Sequence, residues 1–275
     1  MRYLYLGRLE YGEALALQQE LVEQRHAGRI ANTLLLLEHP PVLTLGRNAT
    51  RANILASDEM LARKGVTVHE INRGGDVTYH GPGQLVGYPI FDLRSLFNSS
   101  GGRLGPVDYV RRVEEALIRL CAGYGVLTGR VAGRTGVWTQ GAQERKIGAI
   151  GVHVSRGITS HGFALNVTTD LRDFQWIVPC GIADREVTSL EVEIADPERL
   201  PTIEQAADAA ARCFGQVFGQ PVLAVESLQA LRAASSAAPD AVQTGVPMRV
   251  PAEVERLLNP SPVPGADPAA KPVRV

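Results

Sequence analysis

A cysteine between proline and glycine, in the run Ile177-Val178-Pro179-Cys180-Gly181-Ile182, is the residue of this chain best suited to act as a nucleophile. Proline before it cannot donate to a strand ladder, and glycine after it carries no side chain that could cover the sulfur. The other two cysteines read as small core hydrophobes. Cys121 shares a helical stripe with Val110, Val113, Leu117 and Leu120, and Cys213 stands beside Ala210, Phe214 and Val217. Local context alone leaves a second reading open, in which Cys180 is a third buried thiol.

A thiol attacks as the thiolate, so a cation is the group to look for next. Lys146 opens the run Lys146-Ile147-Gly148-Ala149-Ile150-Gly151-Val152-His153. Strict alternation puts Lys146, Gly148, Ile150 and Val152 on one face of a strand and Ile147, Ala149, Gly151 and His153 on the other. An ammonium folded against Cys180 would favour the thiolate and draw its pKa towards neutrality. Taken by itself, a lysine at the start of a strand is an ordinary solvated charge.

The densest cluster of glycines is Arg73-Gly74-Gly75-Asp76-Val77-Thr78-Tyr79-His80-Gly81-Pro82-Gly83-Gln84. Backbone of this kind approaches a ligand closely and offers N–H groups to an acyl carbonyl, a carboxylate or a phosphate. Arg73 adds a fixed positive fork, and His80 a group that titrates near neutrality. The Lys-Ser/Thr ending of a phosphate-binding P-loop is missing. A turn between strands is the plainer explanation of the same glycines. A third segment, Thr159 to Val167, places Gly162 and Ala164 on one strand face, which leaves room for an extended apolar chain or reflects ordinary sheet packing.

These residues need a scaffold. Strands are expected at residues 3–7, 32–38, 42–45, 66–70, 85–91, 127–131, 136–139, 146–154 and 160–166, with another near 188–191. Helices are expected at 11–26, at a short segment opened by Ser57, from Pro106 through Cys121, and at 203–218. In the first helix Leu15, Leu21 and Val22 form the apolar side, while Gln18, Gln19 and Glu23 face water. Strands outnumber helices and do not alternate with them. The expected class is α+β, a mixed sheet with helices on one face. Residues 1–232 read as one catalytic domain. Residues 233–275 read as an Ala/Pro-rich, mostly disordered tail, apart from a short helix at 252–258.

Composition narrows the function classes. The 275 residues carry a net charge of −1 with 45% hydrophobic and 21% charged residues, ordinary for a globular protein and without a basic surface for nucleic acid. Three widely spaced cysteines make neither a disulfide framework nor a zinc site, so a reducing compartment, the cytoplasm, is expected. The N-terminus alternates like a strand, unlike a signal peptide, and the run Leu34 to Leu37 is far too short to span a bilayer. No membrane association is expected.

Three motifs in order, RGGDVTYHGPGQLVGYPI, KIGAIGVHVSRGITSHGFALNV and the PCGI turn, together with His39-Pro40-Pro41-Val42-Leu43-Thr44-Leu45-Gly46, closely resemble the lipoyl(octanoyl) transferases of lipoate biosynthesis over about residues 3–220. The resemblance implies a mixed sheet flanked by helices, as in lipoate and biotin protein ligases, with the acyl group in a tunnel. It implies that the Cys180 thiolate takes octanoyl from octanoyl-acyl-carrier protein and that a lysine of a lipoyl domain then attacks the acyl-enzyme. The acceptors implied are the lipoyl domains of 2-oxoacid dehydrogenase complexes and the glycine cleavage H protein. By the same correspondence Lys146 lowers the thiol's pKa. The substrate site comprises Arg73, Gly74, Gly75, Asp76, Val77, Thr78, Tyr79 and His80, with Ala149, Ile150, Gly151, Gly162, Phe163 and Ala164. His80, His161 and Asp76 rank below Cys180 and Lys146 as proton carriers. Neither cofactor nor metal is implied. The alternatives are an ATP-dependent lipoate or biotin ligase and an octanoyl amidotransferase of the same fold, or a non-catalytic acyl-binding module.

Overall fold

The computed structural model describes residues 1–98, 101–141, 143–178 and 186–233. Elements run in the order β1 (Arg2–Arg8), α1 (Tyr11–His26), β2 (Thr33–Glu38), β3 (Val42–Leu45), α2 (Asp58–Arg63), β4 (Thr67–Glu70), β5 (Val77–His80) and β6 (Gln84–Ile90). They continue with α3 (Pro106–Gly123), β7 (Thr128–Val131), β8 (Arg134–Thr139), β9 (Lys146–Ser155) and β10 (Ile158–Asn166). The described chain ends with α4 (Leu190–Glu193), α5 (Ile203–Phe218), β11 (Leu223–Ala224) and α6 (Leu228–Ala233).

Eight of these strands form a mixed sheet in the order β11-β1-β2-β6-β10-β9-β8-β7. β1 runs parallel to β2 and β11, and the remaining pairs are antiparallel. A smaller sheet, β4-β3-β5, accompanies it. Helices cover both faces of the large sheet, not one. Leu34 and Leu36 of β2 face a core shared with α3 and α5. Leu35 and Leu37 face a second core, built with Ala14, Leu17 and Leu21 of α1 and Leu231 of α6. The unbroken run of leucines is the mark of a strand buried on both sides. Cys121 and Cys213 lie in the first core, where burial raises their thiols to about 12 and about 11.

Three local expectations change. Gln18 of α1 is 1% exposed, because its Oε1 accepts the His161 backbone N–H at 2.8 Å. Near residues 188–191 the chain makes a single bridge, Val187 to Lys146, and then turns into α4, whose N-cap Ser189 accepts from Val192 N–H. Inside the glycine-rich stretch, residues 77–80 form β5 instead of a loop. Of the expected tail, residues 234–275 lie outside the described residues, as does the expected helix at 252–258.

Two irregularities in the large sheet shape the site. Val137 stands opposite Gly148 but Trp138 stands opposite Lys146, so Ile147 is an extra residue, a β-bulge. The second is Pro89, in a strand paired on both sides. Its ring nitrogen has no hydrogen to give to β10. Continuing the register from Phe163 opposite Gly87, it faces His161, which takes a left-handed φ of 55°. Histidine tolerates that region better than a β-branched residue would. The freed His161 N–H turns to Gln18, and the Pro89 carbonyl accepts from Thr159 Oγ1 at 2.6 Å.

Candidate active site

The bulge corrects the face assigned to Lys146. Strict alternation would leave Lys146 with Gly148 on the α3 side, where an added Cβ on Gly148 would meet Leu117 and Leu165. With Ile147 inserted and buried in the α3 core, Lys146 moves to the opposite face, together with Ala149 and Gly151. That face opens on a cavity of about 220 Å³.

Its floor is a patch of small residues. Ala149 pairs with Ala164 and Gly151 with Gly162 across β9 and β10. The Arg73–Gly75 loop lies above, tied to β9 by Gly74 N–H donating to the Val152 carbonyl at 2.9 Å. Any Cβ at Gly151 would stand 2.8 Å from Gly74 O and 2.9 Å from Arg73 Cδ, so the close approach of loop and floor requires glycine. Thr78 and His80 of β5, Tyr11 of α1, Tyr88 of β6, and Gly133 to Thr135 of the β7–β8 hairpin complete the walls. From Tyr88 on β6 to Arg134 on β8 the cavity crosses three inter-strand steps, about 14 Å.

Of the residues expected to meet substrate, Arg73, Gly74, Gly75, Thr78, His80, Ala149, Ile150, Gly151, Gly162, Phe163 and Ala164 line this cavity, and so does Lys146. Asp76, Val77 and Tyr79 do not. Asp76 accepts from its neighbour Val77 N–H at 2.7 Å and from Asn53 Nδ2 at 2.5 Å. Val77 and Tyr79 point to the opposite face of β5, into a core with Phe174, and the Tyr79 hydroxyl donates to Asp173 at 2.6 Å. The four-residue strand hidden among the glycines imposes this alternation. Tyr11, Tyr88 and Arg134 were not anticipated; Tyr88 shares a strand face with Gln84, a spacing that could have pointed to it.

Hydrogen bonds fix the polar groups around the cavity. Gln84 Nε2 donates to Asn166 Oδ1 at 2.9 Å and to the Tyr79 carbonyl at 3.3 Å, so Gln84 Oε1 must accept from His80 Nδ1–H at 2.8 Å. The His80 Nε2 lone pair then faces the Thr44 hydroxyl at 3.5 Å. That hydroxyl accepts from the Arg73 guanidinium at 2.9 Å, and Arg73 also donates to the Thr44 carbonyl at 2.7 Å. His39 is held in one tautomer in the same way. Nδ1–H donates to the Leu9 carbonyl at 2.7 Å, so Nε2 accepts from the Tyr88 hydroxyl at 2.7 Å.

Burial, aided by the neighbouring His39, lowers His80 to about 3; burial also lowers His39 to about 4. His161 falls to about 4 through burial and the Arg73 charge. All three imidazoles are therefore neutral at neutral pH. Both His80 nitrogens are engaged with protein groups, which suits His80 to holding the Arg73 loop more than to carrying protons. His161 Nε2 lies 2.7 Å from Asn72 Oδ1, and its Nδ1 is buried with no hydrogen-bond partner among the described residues. The Lys146 ammonium stands over the Trp138 ring, 5.1 Å from its centroid.

Cys180 lies outside the described residues, as do all of residues 179–185. The chain on either side is anchored. Val178 N–H donates to the Asn53 carbonyl at 2.8 Å. On the far side Lys146 N–H donates to the Glu186 carbonyl and Thr188 N–H to the Lys146 carbonyl, both at 2.9 Å.

Residues 10–215 match the family described as the lipoyl protein ligase A/B catalytic domain. An octanoyltransferase of Acidobacterium capsulatum is 69% identical over 231 residues, covering 82% of this chain and 94% of that one. The chain belongs to the octanoyltransferase family. The enzyme is thus an acyltransferase, and an octanoyltransferase of Koribacter versatilis is 54% identical, over 84% of this chain and 89% of that one. Among solved structures, a bi-partite lipoate protein ligase of Thermoplasma acidophilum aligns with a TM-score of 0.64 at 15% identity, over 85% of this chain and 89% of that one. Lipoate-protein ligase A bound with ATP also gives 0.64, at 14% identity, over 85% and 92%. At such identity the likeness shows a common fold, the mixed sheet with flanking helices. Among the described residues no helix is long and apolar enough to cross a membrane.

Proposed function

We propose that the enzyme moves an octanoyl group from octanoyl-acyl-carrier protein to a lysine of lipoyl domains through a thioester on Cys180. The acceptors are the lipoyl domains of 2-oxoacid dehydrogenase complexes and the glycine cleavage H protein, in the cytoplasm. The observation that carries the reading is Lys146, turned by the Ile147 bulge onto the face of a cavity whose floor is small and apolar. Such a floor accepts an extended acyl chain, and a cation at the cavity wall favours thiolate over thiol. The strand contact between Lys146 and residues 186–188, close after Cys180 in sequence, supports pairing the two.

In the first step the Cys180 thiolate attacks the donor thioester carbonyl, and the carrier's thiolate leaves and takes up a proton. In the second, the neutral ε-amine of the acceptor lysine attacks the acyl-enzyme, an amide bond forms, the C–S bond breaks to release the Cys180 thiolate, and the amine's proton passes to solvent, which balances the proton taken up by the carrier's thiolate. Lys146 faces a negative sulfur at the start and the end of the cycle, so a fixed ammonium serves both steps. Thioester exchange is nearly isoenergetic and amide formation from a thioester runs downhill, so ATP is not required.

Intact-protein mass spectrometry after incubation with octanoyl-acyl-carrier protein tests this reading. One added octanoyl group, mapped to Cys180 and lost on adding a lipoyl domain, is expected. ATP–pyrophosphate exchange dependent on octanoate or lipoate, with no acylated Cys180, would replace the reading with a ligase.

A further inference from the structure

Trp138 is almost fully buried, at 1% exposure, and its indole Nε1–H has no hydrogen-bond partner among the described residues. A buried donor without an acceptor is destabilising, and phenylalanine would fill much of the same space without one. The ring therefore calls for an explanation beyond packing. Its face supplies one. Lys146 Nζ lies 5.1 Å from the ring centroid and Arg134 Cζ 6.0 Å. Indole presents the strongest negative π face of the aromatic side chains.

Gly136, two residues earlier on the same strand face, completes the arrangement. Its φ is 127°, and an added Cβ would stand 2.9 Å from Lys146 Cε. The lysine stem thus lies across a position kept clear of side chain, with its ammonium over the indole. Gly136 N–H donates to Glu114 Oε1 at 3.1 Å, a carboxylate buried in α3 that also accepts from Arg111 and Arg130. This contact fixes β8 where the lysine stem crosses it.

We propose that Trp138 is a positioning residue which, with Gly136, holds the Lys146 ammonium at the cavity wall. The inference rests on the reading of Lys146 as the group that serves the nucleophile. It predicts that weakening the ring's π face, at constant shape, lowers kcat and leaves KM for the acyl donor unchanged.

Fluorinated tryptophans make that change without altering the packing. In a Trp176→Phe background, where Trp138 is the only tryptophan left, mono-, di- and trifluorotryptophan should lower kcat stepwise. The total fall should reach about tenfold, with thermal stability held. In the full-length enzyme the Lys146 methylene protons should show an upfield ring-current shift that Trp138→Leu removes. Lys146→Met, measured alongside, reports on the underlying reading. Parent-level kcat in that variant removes the reading and the proposal together. Loss of activity in Lys146→Met with a flat fluorination series overturns the role of Trp138 alone, as does an unshifted Lys146 signal.

Discussion

Pro89 faces His161 across the β6–β10 ladder, and the pair makes neither of the hydrogen bonds that regular strands would exchange there. The proline has no N–H, and the His161 N–H has turned to Gln18 Oε1. With its backbone in the left-handed region, His161 joins Gly162 at the cavity. A residue that blocks regular pairing at the centre of a sheet thus gives the site one of its walls.

That geometry predicts a ranking of substitutions at 161. His161→Val forces a β-branched side chain into the left-handed region and should cost about 1–2 kcal/mol more than His161→Asn. Denaturant unfolding of the two variants measures the difference, and equal stabilities would contradict the argument.

Gly151 and Gly12 make an opposed pair. Gly151→Ala drives a methyl into Gly74 O and Arg73 Cδ, and should cost about 1–3 kcal/mol while weakening binding of the acyl donor. Gly12, exposed within α1, has open space around its Cβ position. Gly12→Ala should stabilise by about 0.5–1 kcal/mol and leave turnover unchanged. Thermal melts and KM for the donor check both.

Acid should unfold the enzyme by protonating buried imidazoles. His39 and His161 are lowered from 6.5 to about 4, and His80 to about 3. Between those values and 6.5 the unfolded chain binds more protons, so stability is full above pH ~6.5 and is lost as the pH falls towards about 4 for His39 and His161 and about 3 for His80. Unfolding measured across this window should show a net uptake approaching three protons, reduced by about one in His39→Gln.

Lys146→Ala should slow alkylation of Cys180 at neutral pH by about tenfold or more, through loss of thiolate. Cys180→Ser should abolish acyl transfer with the melting temperature unchanged. Unaltered alkylation in the first variant would detach the lysine from the thiol.

Much of the scaffold was legible in the sequence. The helices at 11–26 and 203–218 match the observed bounds; in α5 the apolar residues recur at helical spacing, whereas α1 buries Tyr11, Ala14, Leu17, Gln18 and Leu21, not the side drawn through Leu15. The misread features are those that break a period. β5 is four residues long and enclosed by glycines, which hid its alternation; the family resemblance named every residue from Arg73 to His80, whereas the strand turns Val77 and Tyr79 to its other face. Gln18 looked like a surface glutamine because its partner lies 143 residues away. The two-sided cover of the large sheet was missed although the leucine run of β2 announced it. The face of Lys146 could not be read at all, since a bulge depends on how the neighbouring strand pairs.

The extra residue at Ile147 makes the number of residues at this point matter as well as their types. Removing Ile147 would bring Lys146 into its place, on the α3 side, and leave the rest of β9 in step with β10. Exchange of Ile147 for another apolar side chain should therefore be a smaller change than loss of that one position.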